Sequence, residues 1–401
     1  MTDSCGRRIP YPFAVPFRLD LDPQYEECRT SQTLTPVQPT HGDPAWLATR
    51  HEDIRALLAE PRFSRAEAAG RDEARLTPSP VGTGTLGMDP PEHTRHRHFI
   101  AAALSFTPQR LEELRHGVRA HATALAEKMS ARGTPADLVS DFVKPFASHV
   151  VYDLLGIPAR DRPDFLFWSE AFTNTTLVPE DIQTRTAGMF EYIVRVIAAW
   201  RSQDRVCDVA RLPERAMQRL PELTDQELIE HVGQLLIAGP DITSAQLSNG
   251  LYALLSRPGQ VHVLRENPDL IPLAAEEILR YAPFPSHATF ARYATEDVEV
   301  GGTLVRKGEA VLAALAAANR DRSVFPAPET FDIGRRDNPH LTFGFGPHHC
   351  IGAPLVRLQL CTALSVLTQR FPQLRLAVPE DDLPWRAEPL IRRVERLPVT
   401  W

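Results

Sequence analysis

A glycine-rich segment near the C-terminus carries the residues best suited to chemistry. Residues 343–352 read FGFGPHHCIG, and apolar residues at helical spacing follow Cys350 directly, so the sequence predicts a helix that begins there. A cysteine at a helix N-terminus faces unpaired backbone N–H groups and the positive end of the helix dipole, which favour its thiolate form. Glycines also let the backbone approach a flat ligand closely. The segment therefore favours a metal-bound thiolate, a known ligand of haem iron.

Two simpler interpretations of the segment stay open on these residues alone. A single cysteine before a helix is most often a small buried side chain. His348, His349 and Cys350 could also suggest zinc, but a structural zinc site needs a second pair of ligands at close spacing, and the chain offers no C-x-x-C or H-x-x-x-H pair.

The elements that must position this cysteine are predicted to be mostly helical, with a minor β portion. Thr224 and Glu227 form a T-x-x-E capping box, and leucines recur at helical spacing from there to Leu255, which predicts a central helix of roughly 30 residues, about 45 Å long. Gly239-Pro240 interrupts this pattern and favours a kink there. A shorter helix is predicted around residues 270–281.

Several motifs together resemble the cytochrome P-450 family. The cysteine segment matches the family's signature at its glycine, His, Cys and Gly positions, and Glu277-Ile278-Leu279-Arg280 matches its E-x-x-R helix. Residues 88–93 resemble the stretch leading into the family's haem-contacting C helix, and residues 318–321 resemble its N-R-D segment. The resemblance runs from about residue 45 to the terminus and implies the cytochrome P-450 fold, mainly α, with haem between the long central helix and the cysteine-loop helix.

The resemblance also implies a cofactor and its ligands. The cofactor would be haem b, with Cys350 as axial ligand of the iron and with Glu277, Arg280 and a further arginine, Arg335, as a structural anchor. The cofactor-binding residues that it implies are His93, Arg97, Arg292, His348, Phe343, Gly344 and Gly352. Four of these, His93, Arg97, Arg292 and His348, would bind the two haem propionates. Substrate contacts are expected from segments 68–88, 165–177, 284–290 and 390–391 and from the central helix.

The chain departs from the family on the central helix. The family pattern A-G-x-[D/E]-T-[T/S] reads AGPDIT at residues 238–243, so Asp241 keeps the acid but Ile242 replaces the threonine that helps to deliver protons to dioxygen. Isoleucine cannot donate a proton, and Thr243 lies roughly 100° further round the helix. A substrate hydroxyl or amine could supply the missing hydrogen bond, the enzyme could couple radicals, or Ile242 could shape the pocket while water fills in. Asp241 either joins a proton relay or forms a salt bridge.

Composition and charge limit the classes of function and the cellular locations that remain. The 401 residues are read as one domain, and a net charge of -7 argues against nucleic-acid binding. No run of about 18 apolar residues predicts a membrane span, and the N-terminus lacks the apolar region of a signal peptide. Five widely spaced cysteines indicate reduced thiols in the cytoplasm.

The leading hypothesis is an oxidative tailoring enzyme of small-molecule metabolism. Ferredoxin and its reductase would supply electrons, docking near arginines on the cysteine side such as Arg95 and Arg357. Ile242 motivates two alternatives: oxidative coupling of aromatic substrates such as tryptophan-containing cyclodipeptides, and a non-catalytic haem protein that presents a carrier-bound substrate.

Overall fold

The computed structural model describes residues 8–14, 18–31, 33–77, 84–173, 178–202, 214–282, 287–387 and 391–401. It is 56% helical with 12% strand, which confirms the prediction of a mainly α fold with a minor β portion. The helices are α1 (Gln24–Ser31), α2 (His51–Ala59), α3 (Glu92–Leu104), α4 (Pro108–Arg132), α5 (Lys144–Leu154), α6 (Arg162–Thr173), α7 (Pro179–Ser202), α8 (Glu214–Arg219), α9 (Asp225–Leu255), α10 (Pro258–Glu266), α11 (Ile271–Tyr281), α12 (Leu315–Ala318) and α13 (Ala353–Arg370).

The strands are short and gather mainly in one mixed sheet. They are β1 (Ile9–Tyr11), β2 (Leu34–Pro39), β3 (Ala45–Ala48), β4 (Phe63–Ser64), β5 (Ala136–Asp137), β6 (Arg292–Ala294), β7 (Val298–Val300), β8 (Thr303–Val305), β9 (Ala310–Ala313), β10 (Arg375–Leu376), β11 (Trp385–Ala387), β12 (Arg392–Val394) and β13 (Pro398–Thr400). The six-stranded sheet has the order β1-β2-β3-β9-β6-β4. Strand β6 carries Arg292, so this sheet fixes one of the expected propionate ligands in the interior.

Helix α9 forms the centre of the helical layer. Its 31 residues confirm the predicted length, and the Thr224–Glu227 capping box is present, with both the side chain of Thr224 and that of Glu227 bonded to backbone N–H groups. Pro240 lies inside the helix, which continues on both sides of it. Helices α5 and α7 and strand β12 pack against α9. The helix after the cysteine begins at Ala353, so the expectation that it begins immediately after Cys350 was wrong by two residues.

A buried ion network holds α11 to residues 319–335, a segment before the cysteine loop that is called the meander below. Glu277 and Arg280 are fully buried and joined by two hydrogen bonds, of 2.7 and 2.8 Å. Arg335 Nε lies 3.1 Å from Glu277 Oε2, which confirms the expected third member. Arg280 also donates to the carbonyl oxygens of Asn319 and Pro328. Because every charge here has a partner, the ion pairs and hydrogen bonds of the network offset the cost of removing these groups from water while they tie distant segments together.

Replacing Glu277 with Ala should therefore destabilise the protein strongly. Two buried guanidinium groups would lose their carboxylate, which costs about 3–5 kcal/mol of unfolding free energy. Urea unfolding followed by tryptophan fluorescence measures the change. Glu296→Ala is the matched control, because Glu296 forms an exposed pair with Arg62 and should cost at most about 0.5 kcal/mol. Equal losses in the two variants would contradict the anchoring role.

Candidate active site

The cysteine loop is closed by its backbone. The N–H of Cys350 donates to the carbonyl oxygen of Phe343 at 2.8 Å, and Gly344 and Gly346 both have a φ of +70°. A Cβ at Gly346 would lie 2.6 Å from the carbonyl oxygen of Leu58, so this turn fits against α2 only with glycine. At Gly344 the nearest atom to such a Cβ is 3.8 Å away, so its glycine is required by conformation. The loop thus holds the backbone of Cys350 in a fixed position.

The thiol of Cys350 lies in a dense part of the fold but keeps an accessible surface. The residue is exposed by surface area, yet burial raises the pKa of its thiol above the usual value. Both observations fit a side chain that lines an internal cleft. Backbone N–H groups of Gly352 and Ala353 and the cations Arg97 and Arg357 act in the opposite direction and lower this pKa. The predicted helix-terminal donors are therefore present, but burial outweighs them in the protein chain alone.

Four basic side chains gather beside the cysteine loop. The rings of His93 on α3 and His348 lie 4.2 Å apart between centroids. Arg97, one turn after His93, donates to the carbonyl oxygen of His349 at 2.6 Å. Arg292 is buried and its guanidinium and that of Arg65 lie close enough to His348 to lower its pKa. The structure thus brings together the four residues that the sequence named for propionate binding.

These basic groups lack carboxylate partners. Within the described residues, neither Arg97 nor Arg292 has a carboxylate oxygen within 4.0 Å. Asp89 is the acid that influences Arg292, and its carboxylate already accepts hydrogen bonds from Ser64 and from the Arg65 backbone. Burial lowers the pKa of Arg292 to about 10, which still leaves it charged at neutral pH. Buried cations without counter-ions are unstable unless a ligand supplies the negative charge.

The histidines of the cluster complement the arginines as neutral donors. Burial, followed by the charge of Arg292, lowers the pKa of His348 to about 3, and burial also lowers that of His93. At neutral pH both rings are uncharged, and each can donate one N–H to a carboxylate. Two arginines and two neutral histidines fit a ligand with two carboxylates, and the accessible Cys350 lies beside them. The residues present therefore fit haem.

On the central helix, Asp241 forms a salt bridge. Asp241 Oδ1 accepts a hydrogen bond from Arg393 Nη1 on β12 at 2.5 Å, which favours the salt-bridge alternative for this acid. Its Oδ2 is buried and has no partner among the described residues. Thr243 is almost fully buried, and Ile242 is half-buried. Sequence reasoning missed Arg393, because a residue 152 positions from Asp241 leaves no local signal.

A zinc site finds no support in the cysteine loop. Among the residues that the structure describes, the group whose ligand atoms converge as a metal would require consists of Glu92, His96 and Glu227 on α3 and α9. It does not include His348, His349 or Cys350. No helix of the described ranges is long and apolar enough to cross a membrane. Parts of the expected substrate segments (78–83, 174–177, 284–286 and 390) lie outside the described residues.

The fold and this site define a haem-thiolate protein. The cytochrome P450 family model matches residues 183–388. The chain is 43% identical to nocardicin C N-oxygenase of Nocardia uniformis subsp. tsuyamanensis and 41% identical to mycinamicin IV hydroxylase/epoxidase of Micromonospora griseorubida, over 98% of each chain in both comparisons. A crystal structure of HinD with NMFT and NO superposes with a TM-score of 0.89 at 47% identity, covering 98% of this chain and 100% of that one. The chain belongs to the cytochrome P450 family and is a haem-dependent monooxygenase that acts on small molecules.

Removing Arg292 or Arg97 should weaken haem retention. A charge-assisted hydrogen bond contributes about 1.5–3 kcal/mol, so Arg292→Leu and Arg97→Leu should each release haem about 10- to 100-fold faster. Transfer of haem to excess apomyoglobin, followed by visible absorbance, measures the rate. Arg306→Leu is the matched control because Arg306 is exposed and only distantly paired with Asp297. Wild-type release rates in both the Arg292 and the Arg97 variant would exclude the two arginines as propionate ligands.

Proposed function

We propose that this cytochrome P450 oxygenates a small molecule of bacterial secondary metabolism. The observation that carries the proposal is the pair of relatives at 43 and 41% identity over nearly the whole chain, one named as an N-oxygenase and the other as a hydroxylase/epoxidase. The names describe oxygenation of nocardicin C in one case and of mycinamicin IV in the other. The geometry of the cysteine loop and the propionate cluster is compatible with the same chemistry here.

The proposed roles at the haem follow from position and charge. Cys350 would be the axial ligand of the iron, while Phe343, Gly344 and Gly352 would form the backbone cradle around it. His93, Arg97, Arg292 and His348 would bind the propionates. When bound, haem supplies the iron at which dioxygen is reduced and one oxygen atom is transferred. The protein's part is to hold this group in one orientation and to control the access of protons and water.

On the distal side we propose that Ile242 sets the shape of the pocket. Asp241 is held by Arg393, so its first role would be to fix β12 against α9, with the free Oδ2 available for a proton. Thr243 is buried and would act on the helix rather than on substrate. A substrate with its own hydroxyl or amine would complete the hydrogen bonds that Ile242 cannot make.

We further propose that a ferredoxin and its reductase supply the electrons. Arg357 is half-exposed beside Phe343 of the cysteine loop, so it can contribute to an acidic partner's docking surface although its guanidinium also binds Glu276 at 2.7 Å. Arg95 is less suited, since its guanidinium binds two carboxylates, those of Glu92 and Glu227.

A spectral titration should identify the substrate class. The haem-loaded protein is titrated with nocardicin C, mycinamicin IV, macrolactones, cyclodipeptides, terpenoids and flavonoids, and the Soret band is followed. We expect a shift toward high spin with nocardicin C or mycinamicin IV, the compounds named for the two relatives, because a fitting ligand would displace water from the site. A shift with aromatic cyclodipeptides alone would instead favour coupling. No shift with any class would favour a carrier-bound substrate and contradict the proposal.

Introducing a hydroxyl at position 242 should improve proton delivery. Ile242→Thr and Ile242→Val differ only in that hydroxyl, so the pair separates proton donation from a change in pocket volume. With the ligand selected by titration and a plant ferredoxin system, we expect Ile242→Thr to give several-fold more oxygenated product per NADPH than Ile242→Val, and less hydrogen peroxide. Identical product and peroxide yields in the two variants would show that this position does not limit proton supply.

A further inference from the structure

Two buried histidines join α3 to α9 outside the haem ligands. His96 Nδ1 and His231 Nε2 lie 2.6 Å apart, and each residue is 1% exposed. One nitrogen of the contact must donate and the other must accept. A buried imidazole pair is a costly way to pack two helices, since an apolar pair would fill the same space. The surroundings of its two ends indicate what the pair can do.

The outer end of the pair reaches charged groups at the protein surface. His96 Nε2 lies 3.1 Å from Glu92 Oε1 and 3.4 Å from Glu227 Oε1, and Glu92 is exposed. The same nitrogen lies 2.9 Å from Arg95 Nη2. A protonated His96 can therefore donate to a carboxylate, and a neutral one can accept from Arg95. Both protonation states have a partner, as a proton-transfer group requires.

The inner end of the pair is His231 Nδ1, which is buried and has no partner among the described residues. If Arg95 donates to His96 Nε2, then His96 Nδ1–H donates to His231 Nε2, and His231 must carry its own proton on Nδ1. Burial, then the charges of His96 and Arg95, lowers the pKa of His231 to about 4, while Glu227 raises it. His231 is thus neutral at rest, and if it accepts a second proton on Nε2 it readily loses the one on Nδ1.

The helix directs this proton toward the distal side. Eleven residues separate His231 from Ile242, which is about three helical turns, so both lie on nearly the same face of α9, roughly 16 Å apart. Gln234, one turn beyond His231, accepts a hydrogen bond from Thr85 at 3.0 Å. Gln234 and Asp241 are seven residues apart and also share a face. Gln234 is the polar side chain that lies on α9 between His231 and Asp241, whose buried Oδ2 has no partner among the described residues.

We propose that His96 and His231 form a proton relay from the surface carboxylates Glu92 and Glu227 to the distal face of α9. It supplies protons that the missing threonine hydroxyl at position 242 does not deliver. This inference rests on the proposed distal position of Ile242, but not on the identity of the substrate.

Each transfer in the relay balances. One proton enters at His96 Nε2, one passes from His96 Nδ1 to His231 Nε2, and one leaves from His231 Nδ1. Both rings then carry their proton on Nε2, and they regain the starting tautomer by proton exchange with water between turnovers. Water would bridge the remaining distance toward Asp241. Neither histidine contacts the reacting atoms, so both act as relay residues.

A metal ion is a weaker explanation for the same cluster. Glu92, His96 and Glu227 have converging ligand atoms, but the guanidinium of Arg95 already forms ion pairs with both carboxylates. A cation thus occupies the position that a metal would need. The proton relay uses the arginine, whereas a metal site would have to displace it.

The tautomer of His231 tests the resting state of the relay without any turnover. Nitrogen-15 NMR of the ferrous carbonmonoxy protein, which is diamagnetic, distinguishes protonated from bare imidazole nitrogens. We expect His231 to carry its proton on Nδ1, and His96→Gln to shift the His231 signals. A His231 with a bare Nδ1 would overturn the proposal, because it has no proton to pass inward.

The products of oxygen reduction test the function of the relay. Without substrate, one NADPH per dioxygen gives hydrogen peroxide, and two NADPH per dioxygen give two water molecules. Supplied with a plant ferredoxin and its reductase, His231→Phe and His96→Gln should each lower the share of water several-fold. His121→Gln is the matched control, since His121 binds Asp153 at 2.5 Å away from this pair and should keep the wild-type share.

An unchanged share of water in both relay variants would overturn the proposal. The double variant Ile242→Thr with His231→Phe provides a second test, because a hydroxyl at position 242 should restore part of the share of water. No restoration would show that His231 acts only on packing. The assay uses dioxygen alone, so a failed search for a secondary-metabolite substrate would leave its result intact.

Discussion

Uncompensated positive charge in the interior is the constraint on which the rest of this structure depends. Arg292 is fixed by a central sheet and Arg97 by α3, yet neither has a carboxylate partner in the described ranges, while His93 and His348 meet as neutral donors beside them. Burying a guanidinium without a counter-ion costs several kcal/mol. The fold tolerates this arrangement if a ligand with two carboxylates provides the missing charge, and the accessible thiol of Cys350 gives the same ligand a metal bond.

The carboxylates of Glu277 and Asp241 are paired with arginines, unlike the basic cluster beside the cysteine loop. Glu277 is shared by Arg280 and Arg335, and Asp241 is bound to Arg393. These pairs fix α11, the meander and β12 around the haem position. These arginines are thus paired with carboxylates, whereas Arg97 and Arg292 lack such a partner among the described residues on the side where the propionates are expected. The His96–His231 contact is a third kind of buried polar feature. His96 has charged partners, whereas His231 Nδ1 has no partner among the described residues.

Local signals in the sequence predicted the elements better than the contacts between them. The capping box at Thr224, the anchor of Glu277 and the cysteine loop are encoded within a few residues or resemble family motifs, and the structure has all three. Whether the named residues bind haem stays a prediction. Sequence reasoning missed the bond between Asp241 and Arg393 and the contact between His96 and His231, because each joins residues more than 130 positions apart. The expected thiolate preference of Cys350 was incomplete, since helix position is readable from sequence but burial is not.

X-ray absorption at the iron edge of the haem-loaded protein tests the central claim most directly. If Cys350 is the axial ligand, the wild-type protein will show one sulfur atom in the iron coordination shell, and Cys350→Ser will show only nitrogen and oxygen. The loop should tolerate serine, because its closing hydrogen bond uses the backbone N–H of this residue. A sulfur ligand that persists in Cys350→Ser, or that is absent from the wild-type protein, would contradict the account.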